Sequence, residues 1–147
     1  MKQVTRSALV SFSAEQMFDL VNDVASYPEF LPGCSGSRVL EASASGMVAS
    51  VDVSKAGISK TFTTANELVE GEAILMSLVD GPFKTLRGGW FFTALDEQAC
   101  KVELKLEFEF SSKMIEMAFG KIFNELTGNM VNAFTKRAKQ VYECYEY

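Results

Sequence analysis

The sequence contains no histidine in its 147 residues. This absence excludes Ser-His-Asp and Cys-His catalytic sites, histidine metal ligands and the most common general base at neutral pH. Cysteine is scarce as well: Cys34, Cys100 and Cys144 are the three in the chain, and no two of them have the CxxC spacing of a zinc or redox site. We therefore predict no metal site, assign no catalytic residue and expect free thiols in a reducing compartment.

Positive charge is also in short supply. The chain carries 14 Lys and Arg against 19 Asp and Glu, a formal net charge of −5. Because nucleic-acid binding depends on neutralising phosphates, an acidic protein is a poor general nucleic-acid binder, and we expect no DNA partner. A local basic patch is still compatible with this charge balance.

Long apolar runs are missing too. No stretch approaches the roughly 20 residues of a membrane-spanning helix. The start, MKQVTRSALVSFS, lacks the apolar core and cleavage site of a secretory signal. The length and a hydrophobic content of 48% predict one domain over residues 1–147, in the cytoplasm.

Two periodicities indicate the secondary structure. Gln3–Phe12 alternates as a strand does; Ser13 then begins a helix as N-cap, with Gln16 at capping-box spacing. This helix is expected to end at Tyr27, because the residue before a proline avoids helical angles. Further strands are predicted at Ser37–Ala42, Met47–Lys55, Ser59–Val69, Ala73–Val79, Thr85–Leu95 and Lys101–Phe110.

The last segment, Ser111–Tyr145, is predicted to be one long helix, because it lacks proline and keeps apolar residues at helical spacing. Strand Lys101–Phe110 alternates most regularly, which favours an antiparallel sheet with one solvated face. We predict an α+β fold: a curved antiparallel sheet of about seven strands wrapped around the C-terminal helix, with two short helices after the first strand. A cavity is expected between sheet and helix.

Two motifs carry a family resemblance. YPEFLPGC, Tyr27–Cys34, follows the first helix, and LVDGPFKTLRGGWFF, Leu78–Phe92, spans consecutive strands. With the element order, they resemble the START-like helix-grip superfamily (SRPBCC, Bet v 1-like). The match is closest to its coenzyme-Q-binding, polyketide-cyclase-like subgroup, which includes bacterial ribosome association toxins of the RatA type. It runs from Val4 to Tyr142. The chain lacks the N-terminal extension of mitochondrial members, so a bacterial cytoplasmic protein is implied.

The predicted ligand-binding residues are mostly aromatic or methionine, a combination of rigid and adaptable side chains that suits a flat head group with a flexible tail. The resemblance places the proline-braced loop, with Tyr27, Phe30 and Leu31, at the rim of a hydrophobic tunnel, either as a gate or as a plug of the core. The other predicted residues are Phe62, Asn66, Met76, Phe83, Trp90, Phe92, Phe119, Phe123 and Met130, with Met117 and Thr64 as further candidates. The alternative for each of them is ordinary core packing.

Basic residues form a second group of candidates. Lys84 and Arg87 could hold a polar head group or an acidic partner at the cavity rim. Lys136, Arg137 and Lys139 form a short basic turn, either a solvated face or a docking patch. Members of the subgroup commonly carry a tryptophan where this chain has Gly33, which predicts a wider or looser rim.

The resemblance implies three functions. The main interpretation is non-catalytic binding of a polyprenyl quinone such as ubiquinone, supporting respiration, with no required cofactor and with transient membrane contact. The alternative is a toxin that binds the large ribosomal subunit and blocks subunit association. A polyketide cyclase or dehydratase is the third, and it would have to work without histidine.

Overall fold

The computed structural model describes residues 2–143. One sheet contains seven antiparallel strands in the order β1-β7-β6-β5-β4-β3-β2. The elements are β1 Lys2–Val10, α1 Ala14–Asn22, a 3₁₀ helix Val24–Glu29, β2 Cys34–Ala42, β3 Gly46–Lys55, β4 Ile58–Val69, β5 Ala73–Asp80, β6 Phe83–Asp96, β7 Ala99–Phe110 and α2 Lys113–Tyr142. The predicted α+β helix-grip architecture is confirmed. Cys144, and the end of the predicted last helix at 144–145, lie outside the described residues.

Helix α1 begins as the sequence predicts and ends earlier. The Ser13 hydroxyl accepts a hydrogen bond from the Gln16 amide at 3.0 Å, and the Gln16 side chain accepts one from the Ser13 amide at 2.9 Å. The expected end at Tyr27 is wrong, because α1 stops at Asn22 and the chain continues as a 3₁₀ helix through Pro28. A proline ring clashes with the carbonyl four residues earlier in an α-helix, so the tighter turn replaces α geometry ahead of Pro28.

The concave face of the sheet is apolar, and strand β7 shows it most regularly. Its buried side chains are Val102, Leu104, Leu106, Phe108 and Phe110, the alternation predicted from the sequence. Adjacent strand β6 carries Gly88 at φ +147°, where an added Cβ would lie 2.0 Å from the Lys105 carbonyl oxygen. The glycine therefore lets two backbones approach at a point where no other residue fits.

Helix α2 crosses the concave face. The Ser112 hydroxyl caps it by accepting from the Ile115 amide at 3.1 Å. Its buried side includes Phe119, Phe123, Phe134 and Ala138, each at most 1% exposed. Between residues 2 and 143, no helix is long and apolar enough to cross a membrane.

Candidate functional site

A cavity of ≈ 60 Å³ lies between the sheet and α2, where the sequence predicts one. Strands β3, β4, β5, β6 and β7 form its walls, and α2 and the 3₁₀ helix close it. It is lined by Val24, Tyr27, Ala49, Val51, Phe62, Thr64, Asn66, Met76, Leu86, Trp90, Leu104, Leu106, Phe123, Leu126, Thr127 and Met130.

Few polar atoms face this cavity. The Thr64 hydroxyl donates to the Asn66 side-chain oxygen at 2.8 Å, and the Thr127 hydroxyl donates to the Phe123 carbonyl of its own helix at 3.0 Å. The Asn66 amide nitrogen and the Trp90 indole N–H donate no hydrogen bond to any residue between 2 and 143. The cavity is therefore an apolar space with unused donors, which suits a ligand carrying an acceptor oxygen.

Tyr27 occupies the end of the cavity nearest the loop. Its hydroxyl donates to the Val21 carbonyl at 2.5 Å, and its ring lies edge-on to Phe134 at 5.3 Å. Burial, the largest cause, and the nearby Cys34 and Asp23 raise the pKa of this phenol above its ordinary value. It stays protonated at neutral pH and acts as a donor, not as a base.

The structure places many of the predicted ligand-binding residues at the cavity and others away from it. The predicted residues that line the cavity are Tyr27, Phe62, Asn66, Met76, Trp90, Phe123 and Met130, together with the further candidate Thr64. Those that do not are Phe30, Leu31, Phe83, Phe92 and Phe119. Their roles in binding stay predictions; their positions have separate causes.

Phe83 and Phe119 belong to a solid aromatic cluster beyond one end of the cavity. Phe83 contacts Phe123 at 4.9 Å between ring centroids and stacks on Phe110 at 5.3 Å, while Phe119 packs against Phe123 at 5.9 Å. Phe92 faces the same side of β6 as Trp90 but lies under α1, edge-on to Phe18 at 5.9 Å. These residues pack the core on either side of the cavity.

In this structure the proline-braced loop closes the core. Leu31 is 3% exposed, and the ring of Phe30 packs against Phe134 at 5.1 Å. The Arg137 guanidinium lies over the ring of Phe30, 5.1 Å from its centroid, and pairs with Glu29 at 3.0 Å. Phe30 thus lies outside the cavity between Phe134 and Arg137, and its role as gate or plug stays a prediction.

Lys84, Arg87 and Met117 do not lie where the sequence places them at the cavity, while docking of an acidic partner by Lys84 and Arg87 stays a prediction. Lys84 and Arg87 lie on the solvated face of β6, away from the cavity, where they face Glu109 and Glu107 at 3.5 Å each. Met117 is 85% exposed, because it belongs to the outward side of α2 and not to the buried stripe. Within the described part of the chain, no group of acidic or cysteine residues is arranged to hold a metal ion.

Several lining residues were not predicted, among them Ala49 and Val51 of β3, Leu104 and Leu106 of β7, and Thr127 of α2. Alternation in β7 does identify Leu104 and Leu106 as buried. It does not identify the part of each strand that faces the gap, since that depends on the curvature of the sheet against α2.

The profile of the family described as polyketide cyclase / dehydrase and lipid transport matches residues 10–135. This chain belongs to that family. Ribosome association toxin RatA of Vibrio cholerae serotype O1 is 85% identical to this family member over 142 residues, covering 97% of this chain and 99% of that protein. RatA of Escherichia coli K12 is 64% identical, covering 97% and 90%. The predicted resemblance to RatA-type members of the superfamily is confirmed.

This family member is also similar to a more distant relative in sequence and to solved structures in fold. Coenzyme Q-binding protein COQ10 homolog B, mitochondrial, of Xenopus laevis is 27% identical, over 95% of this chain and 59% of that protein. The crystal structure of the Zhui aromatase/cyclase from Streptomyces sp. R1128 superposes with a TM-score of 0.86 at 17% identity, covering 99% of both chains. A START superfamily protein from Mycobacterium smegmatis gives 0.78 at 23% identity, covering 95% and 98%.

Proposed function

We propose that this protein associates with the ribosome in the bacterial cytoplasm, which is the activity named in its RatA relatives. The observation that carries the proposal is the 85% identity to RatA of Vibrio cholerae over 97% of this chain and 99% of that protein. Coverage this complete leaves no additional domain in the relative to which ribosome association could belong. The surface that performs it there therefore has a counterpart in this chain.

We propose further that the contact is made with the large subunit and blocks its joining to the small subunit. A protein that covers the surface where the two subunits meet blocks their association in proportion to the fraction of large subunits it occupies. It therefore needs a stable binding surface and not an active site. The predicted toxin activity therefore does not require a catalytic residue in this fold.

The chemistry of the interior supports this non-catalytic role. The cavity lining contains no carboxylate, lysine or arginine, and the Tyr27 phenol has a pKa raised by burial. The Cys34 thiol is also buried and donates to the Gly36 carbonyl at 3.3 Å, and burial raises its pKa. A protonated phenol and a protonated thiol provide neither a general base nor an activated nucleophile. No cofactor enters this proposal.

Sedimentation tests the proposal. The purified protein is mixed with purified large or small ribosomal subunits and separated on a sucrose gradient at low salt. We expect it to travel with the large subunit and to remain near the top of the gradient with the small subunit. A protein that sediments with neither subunit, at concentrations well above those of the subunits, contradicts ribosome association.

A second function, binding of an apolar molecule with an acceptor oxygen, is favoured by the cavity and its unused donors, Asn66 and Trp90. The named relative that binds coenzyme Q makes ubiquinone the leading ligand. The volume sets a condition: ≈ 60 Å³ is well below the cavity of about 150 Å³ that holds benzene. Quinone binding therefore requires Met76 and Met130, which are flexible and only partly buried, to move outward. A quinone dissolved in lipid would also require transient membrane contact.

Retention of a short-chain ubiquinone tests this second function. The protein is incubated with the quinone, freed of unbound quinone by gel filtration and extracted for absorbance measurement. We expect stoichiometric retention by the wild type and reduced retention by Asn66→Leu, which removes the donor at similar volume. Exposed Asn132→Leu is the matched control and should retain as much as the wild type. An empty wild-type protein would show that the cavity is a packing void.

A further inference from the structure

The basic residues of this protein divide into two groups. All 14 lysines and arginines lie between residues 2 and 143, and eight of them form ion pairs. The unpaired ones in this range are Arg6, Lys60, Lys113, Lys121, Lys136 and Lys139. On the sheet, seven of the nine cations form an ion pair, with a carboxylate of the same strand, of a neighbouring strand or of α2. On α2, four lysines form no ion pair.

Net charge is separated in the same way. Helix α2, Lys113–Tyr142, contains five cations and two carboxylates, a net +3, while the rest of the chain contains nine cations and 17 carboxylates, a net −8. Both carboxylates of α2 are paired with cations from the sheet: Glu116 with Lys2 at 2.7 Å, and Glu125 with Lys55. The helix is therefore the basic side of an acidic protein.

The unpaired cations share one surface. Lys121 and Lys139 are 18 residues apart, about five turns, so they point the same way roughly 27 Å apart along the axis. Lys113 and Lys136 flank this line, and all four are exposed. Arg6 reaches the helix from β1, because an added Cβ at Gly128 would lie 3.6 Å from its guanidinium nitrogen. We call the surface formed by Arg6, Lys113, Lys121, Lys136 and Lys139 the basic ridge.

We propose that the basic ridge binds the phosphate backbone of ribosomal RNA; this assignment rests on the proposed ribosome association. Exposed cations that form no ion pair and share one side of α2 are suited to contacts with the phosphates of an RNA backbone, and each contact releases counterions. The ridge reconciles an acidic protein with an RNA-rich partner, because α2 carries a net charge of +3 while the rest of the chain carries −8.

A lipid surface fits this ridge less well. A membrane-surface helix needs a continuous apolar face to bury among the acyl chains. The exposed apolar residues of α2 are confined to its first turns, at Met114 and Met117, and the apolar stripe of the helix is occupied by the core. The exposed cations of the ridge therefore favour RNA phosphate over a lipid surface as the partner.

Salt-dependent binding to large subunits tests the proposal. The variant is Lys121→Gln/Lys139→Gln, and the matched control is Lys101→Gln/Lys105→Gln, which removes the same charge from lysines on β7 that face Glu103 at 3.7 and 3.9 Å. With five phosphate contacts, the wild type should lose about 10²-fold in affinity between 50 and 200 mM salt, and the ridge variant, with three contacts, only about 20-fold. The ridge variant should also bind more weakly than the control at 50 mM. Circular dichroism should show both variants folded.

The outcomes separate this inference from the proposed function. If the ridge variant binds large subunits with the same affinity and salt dependence as the wild type, RNA binding by the ridge is overturned and ribosome association still stands. If, in that case, the wild type binds phosphatidylglycerol vesicles and the variant does not, the ridge is a membrane surface. If the ridge variant binds more weakly but with the salt dependence of the wild type, the ridge contacts a protein and not RNA. If the control variant loses as much affinity as the ridge variant, the effect comes from net charge and not from the ridge. Absence of wild-type binding at every salt concentration would overturn both.

Discussion

Tyr27 places a phenol inside the apolar core, and its environment makes the group a donor. The hydroxyl contacts the Val21 carbonyl at the end of α1, and the ring contacts Phe134 of α2. The sequence motif identifies Tyr27 as part of a loop rim. Its role in closing α1 could not be predicted, because the Val21 contact exists only once the 3₁₀ helix has formed.

Tyr27→Phe is expected to lower the free energy of unfolding by about 1 kcal/mol at pH 8, because the Val21 carbonyl loses its donor. The pKa of Tyr27 is raised in the folded state above its ordinary value of 10.0. The unfolded protein therefore binds fewer protons above pH 10, and the wild type loses stability there as the unfolded phenol ionises. The gap between wild type and variant in urea unfolding should narrow from pH 8 to pH 11. A gap of constant size would show that burial does not protect this proton.

Gly88 lies where the backbones of β6 and β7 approach each other closely. Gly88→Ala is expected to prevent folding or to lower the melting temperature severely, because the new Cβ would lie 2.0 Å from the Lys105 carbonyl oxygen. Gly57→Ala is the matched control: its φ is also positive, at +81°, but nothing lies within 4 Å. It should cost only about 1 kcal/mol of conformational strain. Equal effects on thermal unfolding by circular dichroism would mean that the β6–β7 contact is not tight.

At the scale of elements, local chemistry predicts well and tertiary geometry does not. The capping box at Ser13 and the alternation of β7 are local, and both are confirmed. The predicted end of α1 is wrong because the chain changes from α-helix to 3₁₀ helix ahead of Pro28, and this change depends on tertiary packing. Helical spacing identified the buried stripe of α2, yet it could not tell that Phe119 faces solid core while Phe123 reaches the cavity.

Capping of α1 gives a prediction at this scale. Ser13→Ala removes the acceptor of the Gln16 amide and should lower the free energy of unfolding by about 1 kcal/mol. The neighbouring Ser11→Ala is the control, because Ser11 is exposed and should change stability by less than about 0.5 kcal/mol. Chemical denaturation of both variants tests this prediction. Similar denaturation midpoints for Ser13→Ala and Ser11→Ala would mean that α1 is held by packing alone.

For the whole molecule, the net charge does not describe how the charges are distributed over the surface. A value of −5 argues against a nucleic-acid partner only if the charges are mixed, and here α2 is positive while the remainder is negative. The sequence did single out Lys136, Arg137 and Lys139 as a docking candidate. It could not show that Arg137 is engaged by Glu29 and Phe30, or that Arg6 lies beside Gly128.

The prediction of one domain over residues 1–147 stays a prediction. If it is right, unfolding should be a single cooperative transition in which far-UV circular dichroism and Trp90 fluorescence coincide. Trp90 is 2% exposed and lines the cavity, so its fluorescence reports on the core. Transitions that separate would indicate parts that unfold independently.

In the proposed function, this protein acts on the ribosome by occupying a surface of the large subunit. Light scattering during the joining of purified subunits measures it most directly, because the joined particle scatters more than its parts. We expect the amplitude of joining to fall as the protein is added and to saturate near one protein per large subunit. An unchanged amplitude at a large excess of protein would contradict it.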